Sequence, residues 1–357
     1  MKTPSRIGLI ALSRRGAAMA ARLAAAWPHA DTFVTARWRQ HAGPRAEVLT
    51  EDLASVVPSL LLRHDGLVFF CAVGIAVRLV APHLQGKWAD PAVVAVDDAG
   101  RWAVSVLGGH AGGGNALATA VADVLGAQAV ITTAAEAHGL TPIETLAAER
   151  GWRLARPAPM ARVAGALVNG ERLGWVVDAP LAPAAREPPW PCDRFSDPAA
   201  LAAAGCPGLV VTDRLLPSAL AARARTCWVL LRPPTLVLGV GASTGAAAAE
   251  IAALARAAVG DAGFAWESVA AVATLDRKLS EPGLAAFAAR EGLPLQGFPA
   301  AALASVAVPH PSSAVRTAVG TPSVAEAAAL LASGGRLVAA KRKSGRATVA
   351  VARREAM

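Results

Sequence analysis

The stretch SVLGGHAGGGNALATAVADVL, Ser105–Leu125, holds five glycines, a histidine and an asparagine between an apolar run and a helix-like one. Apolar residues recur after Asn115 at helical spacing, and Gly126 follows as a stop, so a helix is expected over Ala116–Leu125 with Asn115 as its N-cap. Before it, Ala92–Val96 and Trp102–Leu107 flank the turn Asp97-Asp98-Ala99-Gly100 and read as a β-hairpin. Strand, glycine loop and helix therefore follow one another directly. Glycines let a backbone approach a ligand closely, and the helix start supplies unpaired N–H groups at its positive end, so the junction is suited to a carboxylate or phosphate. His110 titrates near neutrality and is the candidate general base or acid. The alternative is a glycine-rich turn whose histidine only caps or packs.

Outward from this junction the text is α/β. Ile7–Ser13, Thr32–Thr35 and Gly66–Cys71 read as strands, and Ala17–Ala26 and Asp52–Val57 as helices. From His138 to Pro234 the periodicity weakens among eight prolines of the 157–198 stretch. A second α/β block opens sharply with TLVLGVGASTG, Thr235–Gly245, and continues through helices at Ala246–Ala258, Pro282–Glu291 and Ser323–Ala332 to a hairpin over Arg336–Val351. The expected fold class is α/β: two α/β domains, residues 1–137 and 235–357, flanking a smaller variable middle domain, residues 138–234.

Composition bounds the function. The chain has 357 residues, 54% hydrophobic and 17% charged, the opposite of a disordered composition. No apolar run reaches the roughly 18 residues of a membrane span, and Ile7–Leu12 is too short for a signal-peptide core, so a cytoplasmic protein with no membrane contact is expected. Cys71, Cys192, Cys206 and Cys227 stand apart without ligand spacing, which indicates reduced thiols and no zinc site. The net charge of +9 is spread out, and aromatics, at 4%, hardly interleave with it, so an arginine-rich background suited to solubility is the plain reading, with an anionic small molecule or nucleic acid as the alternatives. The cluster Lys341-Arg342-Lys343 reads as a hairpin turn.

Among the remaining motifs, Gly74 follows a buried strand and would open a second strand-to-helix mouth, with Arg78 placed to pair with an acidic ligand or simply to face solvent. GVGASTG has the spacing G-x-G-x-x-x-G, not that of the dinucleotide fingerprint. Ser243 and Thr244 would instead bind an anion at a helix entrance, with Glu250 on that helix. Nothing matches G-x-S-x-G, H-E-x-x-H or the P-loop.

Longer words carry a resemblance. The segment from Gly66 to Glu136, together with LVLGVGASTGAAAAEI, ATLDRKLSEPGL, PHPSSAV, VGTPSVAEAAAL and KRKSGRATVAVAR, resembles the CbiG family of cobalt-precorrin-5A hydrolases; the C-terminal words also resemble CobE, a small corrinoid-pathway protein. The resemblance implies cobalamin biosynthesis: water opens the δ-lactone of a cobalt-bearing tetrapyrrole, and a two-carbon unit leaves as acetaldehyde. No separate cofactor is then needed, because the cobalt arrives in the substrate. Such chemistry needs an activated water, oxyanion donors and a base for the departing hydroxyl, and one histidine beside a row of N–H groups would supply them. His110 is thus expected as base, Gly112, Gly113 and Gly114 as donors, and Asn115 as the orienting residue. Gly74, Arg78, Gly108, Gly109, Thr132, Thr133, Gly241, Ser243, Thr244, Arg277, Lys278, Glu281 and Lys341 are expected to bind the anionic tetrapyrrole. Three departures from the family pattern stand out: Gly108 where a serine is common, Ala242 where a cysteine is frequent, and Glu136 for aspartate. The alternative is a non-catalytic protein that binds a corrinoid intermediate or hands it to a pathway methyltransferase. A nucleotide-binding reading of GVGASTG is the third.

Overall fold

The computed structural model describes residues 4–86, 89–109, 112–183 and 185–355. The chain divides into two compact units, Met1–Leu146 and Ala147–Met357. The first is built on a seven-stranded sheet of β1 (Ile7–Ala11), β2 (Asp31–Thr35), β3 (Glu47–Leu49), β4 (Gly66–Phe70), β5 (Ala92–Val96), β6 (Trp102–Leu107) and β7 (Gln128–Val130), in the order β3-β2-β1-β4-β5-β6-β7. The central runs IGLIA, GLVFF and AVVAV are buried along their whole length, as parallel strands covered on both faces must be. Alternate residues feed two cores: Leu9, Val68, Phe70 and Val94 pack with Leu23, Leu117 and Val121, while Ile10, Leu67, Phe69 and Val93 pack with Leu60 and Val80. The expected hairpin forms, with β5 and β6 antiparallel and β7 parallel to β6. This reversal decides where the glycine loop emerges.

The second unit carries two sheets. The proline-rich middle, whose periodicity is weak, folds as β8 (Arg153–Leu154), β9 (Leu173–Val177), β10 (Cys192–Phe195), β11 (Gly208–Val211) and β12 (Trp228–Arg232), ordered β10-β9-β11-β12-β8. Its core is compact, with Val176, Leu201, Val210 and Trp228 in contact. The third sheet comprises β13 (Leu236–Ala242), β14 (Val269–Leu275), β15 (Leu295–Phe298), β16 (Arg336–Lys343) and β17 (Ala347–Arg353), ordered β15-β14-β13-β17-β16. β13, β14 and β15 are parallel, and the hairpin β16–β17 adds antiparallel strands beside β13. A Cβ at Gly239 would lie 1.8 Å from the Ala325 carbonyl oxygen, so only glycine lets the alanine-rich helix Val324–Ser333 cross β13 this closely.

A buried polar seam joins the two sheets of this unit. Arg353 Nε and Thr235 Oγ1 each donate to Asp213 Oδ2 at 2.6 Å, and Arg232 Nη1 donates to the Thr212 and Arg214 carbonyls at 2.9 and 2.6 Å. Among the described residues no helix is long and apolar enough to cross a membrane.

Candidate functional site

The glycine loop is wound on one carbonyl. Gly108, at φ +69°, leaves β6 in a conformation that favours glycine, and its oxygen accepts from the N–H groups of Gly112 and Gly114 at 2.9 and 3.0 Å. Gly109 O accepts from Asn115 N at 2.9 Å. The helix then runs Gly114–Leu125 with Gly113 as its N-cap residue. Two expectations change here. The N–H groups of Gly112 and Gly114 close the loop rather than standing open to an oxyanion, and Asn115 lies one residue inside the helix rather than capping it. His110 and Ala111 lie outside the described residues.

Asn115 has a different role from capping. Its fully buried carboxamide accepts from Ser105 Oγ at 2.8 Å and donates through Nδ2 to Thr133 Oγ1 at 3.2 Å and to Glu136 Oε2 at 2.6 Å. Thr133 also donates to the same carboxylate oxygen. A buried amide must be satisfied, and these partners on β6 and after β7 satisfy it better than a helix end would. Asn115 and Thr133 thereby meet at the half-buried carboxylate of Glu136, with Gly109 packed against both of them; Gly108 lies against Ala92 instead, and Thr132 is exposed. Ser105 was not anticipated, because nothing in a strand residue ten positions away signals a contact with Asn115.

Gly74 and Arg78 are not brought to this cluster. The register pairs Gly66 with Ala92 and Val93 with Leu107, so the glycine loop emerges where β4 and β5 begin; Phe70 pairs with Val96, so Gly74 follows the ends where they finish. Both are carboxyl ends of their own strands, but β6 runs backwards, and the two mouths lie at opposite ends of the strands of one sheet. Arg78 Nη1 donates to the Gly74 carbonyl at 3.1 Å. At the loop's own end of the sheet a cavity of about 400 Å³ is lined by Arg6, His64, Asp65, Asp90 and Gly112. Hydrogen bonds from Arg6 and Ser5 hold the Asp65 carboxyl well below the usual carboxylate range, so it is an anion throughout the physiological window.

The second unit has its own cleft, of about 350 Å³, at the carboxyl ends of β13 and β14. Gly241, Ser243, Lys278 and Lys341 line it as expected neighbours, joined by Lys343 and Arg346, which sequence reasoning did not assign. Leu275, Val315, Val319 and Val324 supply an apolar wall, so the cleft offers cations beside a greasy face. The basic cluster Lys341–Lys343 closes β16, and the turn falls instead at Ser344–Arg346, where Glu250 accepts from Arg346 N at 2.7 Å and from Ser344 Oγ. Glu250 thus pins the hairpin. The helix after GVGASTG begins only at Ala248, so Ser243 and Thr244 do not sit at its entrance.

Glu281 and Arg277 also serve the protein itself. Glu281, 7% exposed, accepts from Gly245 N at 2.8 Å and from Lys278 Nζ at 3.0 Å, bonds that lower its pKa in that order of importance. Its lone pairs are occupied in orienting Lys278, whose ammonium also reaches Thr244 Oγ1 at 3.5 Å; a carboxylate there would repel an anionic ligand it touched. Arg277 Nη2 donates to the Ala318 carbonyl at 3.3 Å and braces the helix Ser313–Val319.

Three family models match successive parts of the chain: the cobalamin synthesis G N-terminal domain over residues 55–136, the cobalamin biosynthesis central region over 141–233, and the cobalamin synthesis G C-terminus over 236–352. A cobalt-precorrin-5A hydrolase of Priestia megaterium is 31% identical over 358 residues, covering 96% of this chain and 94% of that protein. The chain belongs to the CbiG family. A Salmonella typhimurium protein of the same name is 35% identical over 179 residues, half of each chain. Protein CobE of a Sinorhizobium species is 38% identical over 121 residues, covering 33% of this chain and 79% of CobE. In the terms of the CbiG family, the glycine-loop cluster falls in the N-terminal domain and the basic cleft in the CobE-like C-terminus, and the place of the chain is cobalamin biosynthesis.

Proposed function

We propose that the chain is a cobalt-precorrin-5A hydrolase: it opens the δ-lactone of cobalt-precorrin-5A with water and releases acetaldehyde to leave cobalt-precorrin-5B. The observation that carries this reading is the likeness to the Priestia megaterium hydrolase along 96% of the chain. The cobalt is part of the substrate, and no cofactor of the protein is invoked. His110 takes a proton from the attacking water, whose oxygen bonds to the lactone carbonyl carbon; the ester C–O bond then breaks, and the departing ring oxygen takes that proton. Asn115 and Thr133, bonded to Glu136, hold the start of the helix that follows the glycine loop. Within the second unit, the cleft that sets Lys278 and Lys341 beside an apolar wall has the chemistry to receive a carboxylate-rimmed macrocycle.

The test is to incubate the full chain with cobalt-precorrin-5A and follow acetaldehyde and the mass of the ring product. His110→Ala is expected to lower turnover by at least roughly 10²-fold, the loss of a general base. An unchanged rate would remove His110 from the reaction. The likeness of the last third to free-standing CobE favours one second reading, a corrinoid carrier that hands its ligand to a pathway methyltransferase. Tight corrinoid binding with no acetaldehyde would select that reading.

A further inference from the structure

Glu326 is the third helical residue after the N-cap Ser323, and the Ser-x-x-Glu spacing is that of a capping box. Ser323 Oγ does accept from Glu326 N, at 3.3 Å. The glutamate, however, turns its carboxylate away from the helix end. Oε1 accepts from His310 Nδ1 at 2.8 Å and from Lys341 N at 3.2 Å, and Oε2 from His310 N at 3.3 Å. Glu326 is wholly enclosed, whereas the His310 side chain keeps 55% of its surface exposed. An ionised carboxylate only accepts, so Nδ1 carries the ring proton of the neutral imidazole, and Nε2 presents a lone pair outward. Among the described residues Nε2 has no hydrogen-bond partner. A base oriented by a buried carboxylate is the arrangement that proton-transfer catalysts use.

The segment that carries the ring is tied through its backbone to the lining of the basic cleft, which does not itself include His310. Lys341, which lines the cleft, donates its ammonium to the His310 carbonyl, and Ser323, also in the lining, caps the helix that carries Glu326. Lys278, Lys341, Lys343 and Arg346 make this cleft cationic. A closed lactone carries one carboxylate fewer than the hydroxy acid that water makes from it, so a cationic cleft favours the opened form over the closed one.

We propose that His310 is the base of the second chemical event, the carbon–carbon cleavage of the ring-opened hydroxy acid, and that Glu326 is its positioning residue. The proposal rests on the hydrolase reading. Nε2 takes the proton of the hydroxyl group; the oxygen's bonding pair becomes the aldehyde C=O as the bond to the macrocycle breaks. The released electron pair stays on the macrocyclic carbon, which then takes the proton back from His310.

The test compares the full-length wild-type chain with His310→Asn, whose amide keeps a donor toward Glu326 and lacks the base. With cobalt-precorrin-5A, the variant is expected to accumulate the ring-opened acid, the substrate plus one water, and to release acetaldehyde at least roughly 10²-fold more slowly. Acetaldehyde released at the wild-type rate, or accumulation of the closed lactone, overturns the assignment. Neither opening nor aldehyde from the wild-type chain would instead overturn the hydrolase reading and this step with it. A measurement independent of the variant's folding is ¹⁵N NMR of the histidine-labelled wild-type chain: His310 is expected as the Nδ1–H tautomer, and to switch tautomer population in Glu326→Gln. The Nε2–H tautomer in the wild-type chain would refute the orientation on which the step depends.

Discussion

Replacing Asn115 with aspartate changes one donor for an acceptor without changing shape, and its consequences can be worked from the Asn115–Glu136 contact. Nδ2 lies 2.6 Å from Glu136 Oε2, so the variant sets two carboxylates against one another, one fully buried and one half-buried. Two unit charges about 4 Å apart repel by about 4 kcal/mol at an effective dielectric of about 20. The pair can avoid this by binding a proton, which costs about 1.4 kcal/mol for each pH unit above an ordinary carboxylate pKa near 4, or about 4 kcal/mol at pH 7. Either route gives a destabilisation of about 4 kcal/mol at pH 7, and the protonated route about 1.4 kcal/mol at pH 5. The direction follows from proton linkage. The folded pair has a raised pKa and binds more protons than the unfolded chain between pH 4 and that raised value, so stability must fall as pH rises through this window. Hydrogen exchange of the Gly114–Leu125 amides at pH 5, 6 and 7, corrected for intrinsic rates, reads the effect within its own unit. A difference from wild type that stays constant with pH, or is below about 1 kcal/mol at pH 7, would refute the placing of Glu136 as an anion against Asn115.

Asp213→Ala leaves Arg353 buried without its partner and is expected to cost about 3–5 kcal/mol, a fall of about 6–20 °C in midpoint, while Asp213→Leu combined with Arg353→Met recovers most of it; urea and thermal unfolding check both. Loss of less than 1 kcal/mol would mean that the seam between the middle and C-terminal sheets is not held by this pair. Binding of the polycarboxylate substrate is expected to weaken at least about tenfold between 0.1 and 1 M salt, as the screening length shrinks from about 10 to about 3 Å, and Lys278→Ala should flatten that dependence. Salt-independent affinity would remove the cleft cations from recognition.

The parts legible in the sequence were those written locally. The alternation of apolar runs with turn residues marked β5 and β6, and the helix from Pro282 to Glu291 lies where its proline and Gly292 put it. The middle sheet was not legible, because β8 is two residues long and β10, CDRF, is half charged, so neither shows the periodicity of a buried strand. Asn115 was singled out as polar at a helix start, yet its partners Ser105 and Glu136 are ten and 21 positions away, and no local rule reaches them.

Sequence alone determined the α/β class, the order of strand, glycine loop and helix, and the family words at both ends of the chain. These depend on side-chain period and backbone freedom within a few residues. Tertiary structure alone decided which candidates share a site. Pairing β6 antiparallel to β5 put Gly74 and the glycine loop at opposite strand ends of the sheet, since strand direction is fixed by hydrogen bonding between segments rather than within one. The same holds for the cleft, which draws Lys278, Ser323 and Lys341 from β-ends and a helix start far apart in the chain, and for Glu326, whose capping-box spacing is local while its choice of His310 is not.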